Sequence, residues 1–248
     1  MMMTAPKASL AAGVAALMVA GGMAQAGCRD LTHQNRSYTV CEARAGQDDL
    51  RLFLRGDADA ALGSFERAEA SVAPARLGFA MNAGMYHPDR SPVGLYLEAG
   101  REVSALVTAD GPGNFGLLPN GVFCIGADGY SVVESRAYAA NPPECRYASQ
   151  SGPMLVIGGA LHPRFLPQSP SRYIRNGVGV SADGTVAFFA ISNEPVNFTE
   201  FAGLFRDALD TPDALYFDGS ISRLYAPELG RDDFGFAMGP MVGTVVGP

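Results

Sequence analysis

The chain has 248 residues, 48% of them hydrophobic and 17% charged, with a formal net charge of −7. That length supports one domain with a substantial core. An acidic balance without any run of lysines or arginines argues against a nucleic-acid partner held by counterion release. Residues 1–26 read as a signal peptide: Lys7 supplies a positive start, residues 10–22 are apolar, and Ala24-Gln25-Ala26 is a small-x-small cleavage pattern. The apolar stretch is short for a membrane span, and no later segment approaches 18 apolar residues. Cleavage after Ala26 leaves residues 27–248, with 17 basic and 25 acidic side chains, a net charge of −8, and no lysine. Cys28 after Ala26-Gly27 raises lipidation, which Gln25 at a position wanting an aliphatic residue disfavours. The expectation is a periplasmic or secreted protein.

The remaining signals in chain order predict many short strands and few helices. Residues 38–44 and 50–55 read as a strand pair around the polar turn 45–48. Residues 61–71 predict a short helix ended by Pro74. Strands follow at 77–81 and 94–98, then a hairpin of 122–125 with 130–134 across a Gly-Ala-Asp-Gly turn. Residues 154–157 and 160–161 flank Gly158-Gly159, and residues 177–180 and 185–191 flank Ala182-Asp183-Gly184. The strongest helix is 197–209, with Asn197 as N-cap, Glu200 completing a capping box, and Phe198, Phe201, Ala202, Phe205 and Leu209 on its apolar face. That assigns the sequon Asn197-Phe198-Thr199 to a helix cap. Residues 215–217 then form a short buried strand. The expected class is α+β: a single domain with a mixed, curved β-sheet core and a few packed helices.

Four cysteines, Cys28, Cys41, Cys124 and Cys145, lie in the mature chain. An even number in an exported protein predicts disulfides. Three pairings can be drawn, of which the simplest joins neighbours, Cys28–Cys41 and Cys124–Cys145. No C-x-x-C occurs to suggest a metal.

Glycine-polar stretches beside apolar strands mark where loops on a rigid sheet could carry chemistry. They include Asn82-Ala83-Gly84-Met85-Tyr86, Gly113-Asn114-Phe115, Gln150-Ser151-Gly152-Pro153, Arg175-Asn176-Gly177 and Phe217-Asp218-Gly219-Ser220. Taken one at a time, each is ordinary turn punctuation. No G-x-S-x-G elbow, H-E-x-x-H helix or Walker loop is present. His33, His87 and His162 are too dispersed for a zinc site, although His87 shares its loop with Asp89 and Asn82. The carboxylates to weigh are Asp89, Asp110, Glu194 and Asp218; only Asp218 directly follows a buried strand. Arg175 stands at a strand start, where its planar fork suits phosphate or a structural ion pair equally well.

Taken together and in order, "NAGMY", "GNF", "PNGVF", "SQSGPMLV", "RNGVGV", "FTEFAGLFRDAL", "ALYFDGSISRLY" and "FGFAMGPMVG" resemble the phosphodiester glycosidase family over residues 77–246. The resemblance implies an exported hydrolase that cleaves the glycosyl–phosphate bond of a sugar-1-phosphodiester. It places Asp218 and Arg175 at the catalytic centre, with Glu194 as a reserve carboxylate. Asn82, Gly84, His87, Ser151, Gly219, Ser220 and Ser222 would contact substrate. It implies a glycan or sugar-phosphodiester partner and requires no cofactor. Were a divalent cation used, oxygen ligands around Asp218 would suit Ca²⁺ or Mg²⁺. The family's glycine-rich "DGGGS" is "DGSIS" here, so Ser220 and Ile221 stand where glycines would admit a substrate close to the backbone. That departure motivates an alternative, a non-catalytic carbohydrate or cell-envelope glycan binding protein on the same scaffold. Oligomeric state is not legible.

Overall fold

The computed structural model describes residues 1–2, 27–56 and 60–247. Residues 3–26 of the expected signal peptide lie outside that set. The chain is an α+β domain, mostly strand, and its strands form three sheets. The first contains β1 (Cys28–His33), β2 (Arg36–Arg44), β10 (Met154–Ile157), β11 (Ala160–Leu161), β12 (Asn176–Val180), β13 (Val186–Ser192) and β14 (Asp213–Asp218), in the order β1-β2-β13-β12-β14-β10-β11. The second orders β16 (Arg231–Asp232), β15 (Leu224–Ala226), β4 (Arg76–Asn82), β17 (Met241–Val246) and β3 (Asp49–Phe53). The third orders β6 (Arg101–Ser104), β5 (Tyr96–Glu98), β9 (Tyr147–Ser151), β7 (Gly121–Ile125) and β8 (Tyr130–Glu134). Pairings between these strands are antiparallel throughout, so the fold mixes helices with strands but not strand directions.

Strand alternation explains how three sheets share one core. In β13, Ala187, Phe189 and Ile191 point into a central cluster. That cluster also takes Leu52 from β3, Phe79 and Met81 from β4, Phe123 from β7, Val178 from β12, and Leu215 and Phe217 from β14. Phe123 meets Phe189 edge-on at 5.6 Å, joining the first sheet to the third. The opposite face of each sheet is closed by one short helix. Helix α3 (Phe198–Gly203), continued by a π turn over Leu204–Ala208, packs Phe201 and Phe205 on the outer face of the first sheet. Helix α1 (Phe65–Ala70) covers the second sheet through Phe65 and Ala68, and α2 (Ser135–Ala140) covers the third through Tyr138. Buried side chains of this kind stabilise by about 2 kcal/mol each, so both sheet faces contribute.

The hairpins at 122–134, 154–161 and 177–191 form as read from the sequence. Asn197 caps α3 with the full capping box: its side chain takes the Glu200 amide, and Glu200 takes the Asn197 amide. Both disulfides join sequence neighbours, Cys28–Cys41 across the β1–β2 ladder and Cys124–Cys145. The pairing expected between 38–44 and 50–55 does not occur. Strand β2 instead lies between β1 and β13, while β3 pairs with β17, nearly the whole chain away. The polar turn after Arg44 passes the chain from one sheet to another, with the Ala45 amide bonded to the Thr185 carbonyl. Helix α1 is shorter than 61–71 because Ser64 caps it, accepting the Arg67 amide.

Candidate active site

Strand ends from all three sheets converge at one end of the core. Asn82 ends β4, Ser151 ends β9, Asp218 ends β14, and Asn176 begins β12. Asn176 lies opposite Asp218 in the β12–β14 ladder. The two asparagines clasp each other across sheets: Asn176 Nδ2 donates to the Asn82 carbonyl at 2.7 Å, and Asn82 Nδ2 donates to Asn176 Oδ1 at 3.0 Å. Asn82 Oδ1 accepts the Arg223 amide at 3.0 Å, and Ser222 Oγ donates to the Asp218 carbonyl at 2.9 Å. Ser151 Oγ donates to the Phe217 carbonyl at 3.0 Å. Asn82, Asn176 and Ser151 are fully buried. Their side chains therefore lock the frame beneath Asp218. Asn82→Ala would strand the Arg223 amide and leave Asn176 Oδ1 with only the longer bond from Ser222 Oγ, at a cost of about 2–4 kcal/mol. Urea unfolding would measure that loss.

Asp218 closes the loop on itself. Its Oδ1 accepts the Gly219 amide at 2.5 Å and the Ser220 amide at 2.8 Å. Burial pushes its carboxyl above the ordinary value, against the pull of the Ser220, Gly219 and Ile221 amides. Gly219 must be glycine for steric reasons, because a methyl there would overlap the Tyr216 hydroxyl. Gly84 follows the end of β4 with φ +151°, and a methyl there would press on Ser149 Oγ. The Tyr86 phenol is raised chiefly by burial and lies in the fields of Asp218, Arg90 and Arg223.

Arg175 immediately precedes β12, and its side chain lies in an aromatic box. Its Cζ is 3.8 Å from the Phe198 ring centre and 5.4 Å from those of Tyr173 and Tyr216. Nε donates to the Val196 carbonyl, Nη1 to the Tyr216 hydroxyl at 3.2 Å and Nη2 to the Ser171 carbonyl. The side chain is 1% exposed, and no carboxylate among the described residues forms a salt bridge with it. A buried guanidinium without a carboxylate is electrostatically incomplete. The β12–β14 register shifts between the Gly177–Tyr216 and Asn176–Asp218 pairs, so β14 bulges just before Asp218; Arg175 bonds the Tyr216 hydroxyl, and that phenol lies in the field of Asp218.

Two residues expected in the site stand apart from it. Glu194 accepts the Ser37 amide at 3.1 Å and Arg36 Nη1 at 3.0 Å, within a partly exposed ion-pair array that includes Glu200 and Arg172. The Ser37 amide and then Arg36 hold its carboxyl below the ordinary range. His87 is exposed in a turn, its amide bonded to the Ser91 carbonyl and its carbonyl to the Arg90 amide. Ser220 is exposed and contributes only its backbone amide to Asp218. Sequence reasoning did not single out Asn176 or Tyr216, whose places are set by partners distant in the chain, Asn82 and Arg175. A cavity of about 830 Å³ lies at the opposite strand ends beside the Cys124–Cys145 disulfide and shares no residue with this group. A smaller one of about 370 Å³ adjoins Ser222 and Arg223, with Ile174 and Phe234 on its wall.

The chain belongs to the phosphodiester glycosidase family, whose model matches residues 75–234. Over 146 residues it is 41% identical to the uncharacterized protein YigE of Escherichia coli strain K12, a match covering 59% of this chain and 57% of that protein. It therefore spans less than two thirds of that relative. Its fold is similar to the catalytic domain of zebrafish N-acetylglucosamine-1-phosphodiester alpha-N-acetylglucosaminidase, solved in a form auto-inhibited by its pro-peptide. That likeness has a TM-score of 0.59 at 13% identity, covering 89% of this chain and 82% of that one. A putative exported protein of Burkholderia pseudomallei aligns at 12% identity and a TM-score of 0.49, over 84% of this chain and 74% of that one.

Proposed function

We propose that this protein is an exported hydrolase that breaks the bond between a sugar anomeric carbon and phosphate in a sugar-1-phosphodiester. The observation that carries the reading is that a buried guanidinium lacking a carboxylate, Arg175, bonds the Tyr216 hydroxyl while a desolvated carboxylate, Asp218, lies close enough to act on the same phenol. Cleavage builds oxocarbenium character on the sugar and negative charge on the departing phosphate. A phosphate monoester leaves as an anion and needs no general acid. A carboxylate facing the sugar and a cation behind the phosphate are therefore a sufficient set. The C1–O bond breaks with its electron pair going to the phosphate oxygen. Water adds at C1 and gives a proton to Asp218. Asn82, Ser151 and Ser222 act by holding the strand ends that present Asp218.

Two disulfides suit an oxidising compartment, which supports a periplasmic or secreted location. No helix among the described residues is long and apolar enough to cross a membrane. The substrate is a glycan-like phosphodiester, and Ser220 and Ile221 at the family's glycine positions favour a sugar other than N-acetylglucosamine. The test is a panel of sugar-1-phosphodiesters followed by phosphorus NMR and free-sugar analysis, with and without chelator. Free sugar and phosphomonoester in equal amounts are expected in both conditions. Glycan binding without product would establish the non-catalytic alternative, and activity abolished by chelator would show that a divalent cation belongs to the site.

A further inference from the structure

We propose that Tyr216 is a further catalytic residue, whose phenol O–H donates a hydrogen bond to a phosphate oxygen of the substrate beside Asp218. This rests on the phosphodiester reading above. The Tyr216 oxygen accepts from Arg175 Nη1 at 3.2 Å. A phenol oxygen has two acceptor positions and one proton. Its proton is left as a donor, and no hydrogen bond that it donates is found among the described residues. The ring is 1% exposed and its orientation is fixed, meeting Phe198 edge-on at 4.8 Å. A buried donor without an acceptor is costly, and such a group persists where a ligand completes it.

The chemistry of the missing partner follows from its neighbours. It must accept and not donate, and it must tolerate the positive charge that Arg175 places directly behind the phenol. Phosphodiester oxygens meet both conditions. Burial raises the phenol well above its ordinary value, so it remains a protonated donor. The hydroxyl sits against the backbone of Gly219, the residue that follows Asp218, so an anion bonded to it lies next to the carboxylate. Arg175 then acts through Tyr216 as a positioning residue, orienting and polarising the O–H.

Tyr216→Phe keeps the ring and removes only the hydroxyl. It is expected to lower kcat by about 10²-fold with little change in KM, and the loss should shrink as the leaving phosphate becomes less basic. Calorimetry with inorganic phosphate and dimethyl phosphate should show binding weakened about tenfold or more. A purely structural role for Tyr216 would change thermal stability but not the leaving-group dependence. If the wild-type protein releases no sugar from any diester, the functional reading fails. The binding experiment still decides this proposal: equal phosphate affinity in wild type and Tyr216→Phe overturns it, as does a wild type that binds no phosphate. A wild-type crystal soaked in inorganic phosphate avoids variants altogether. An anion within hydrogen-bond reach of Tyr216 Oη supports the proposal, and an anion bound only elsewhere overturns it.

Discussion

Replacing Asp218 by asparagine should lower turnover of a sugar-1-phosphodiester by roughly 10³-fold while making the protein more stable at neutral pH. Asparagine keeps an oxygen for the Gly219 and Ser220 amides that Oδ1 now accepts, so the turn after β14 survives. What it removes is a charge that burial disfavours. Because the folded pKa of Asp218 lies above the ordinary 3.8, the native state binds this proton more tightly than the unfolded chain does. Such a group adds stability at low pH, and that contribution is lost as pH rises from 3.8 through the folded value. At pH 7 the wild type bears the full desolvation cost and the amide bears none. The melting temperature of Asp218→Asn should therefore exceed that of wild type at pH 7, and the gap should close below pH 3.8. An inactive variant with no gain at neutral pH would contradict the desolvation argument. An active one would contradict the site.

Removing the other charge has the opposite balance. Arg175→Met should cost roughly 10²-fold or more in turnover but only a modest amount of stability, within about 2 kcal/mol. The acceptors it leaves behind are not all orphaned. The Val196 carbonyl keeps the Tyr173 amide, and Ser171 is exposed and can be hydrated. Methionine fills the aromatic box without a charge to desolvate. Arg175→Lys should not rescue turnover, since an ammonium cannot span Val196, Ser171 and Tyr216 as the planar fork does. Steady-state kinetics alongside thermal melts separate the two effects. Turnover within threefold of wild type in either variant would remove Arg175 from the mechanism.

The ordered motifs identify the family and put Asp218 at the end of β14 and Arg175 just before the adjacent β12, because local signals specify β12, β13 and β14 well. The capping box of α3 is equally local. What sequence could not show depends on distant partners. Strand β9, "YASQS", is polar yet buried, and it reads as a loop. Gln150 is tolerated inside because its amide oxygen takes the Leu95 and Val107 amides and its nitrogen meets Ser135. Strand β17 follows Gly239-Pro240 and carries Gly243 in its middle, both weak strand signals, and its partners β3 and β4 lie far back in the chain. Strand β1 turns into β2 through Gln34 and Asn35, both at positive φ, without the glycine that usually marks such a turn. Glu194 looked available because sequence cannot show that Arg36, some 158 residues earlier, already holds it.

Hydrolysis in ¹⁸O-labelled water tests the central claim most directly, because it reports which bond breaks. Attack at the anomeric carbon places the label on C1 of the released sugar and leaves the phosphomonoester unlabelled, which is the expected result. Label in the phosphate would mean P–O cleavage, and the assignment of Asp218 to the sugar and Arg175 to the phosphate would be wrong.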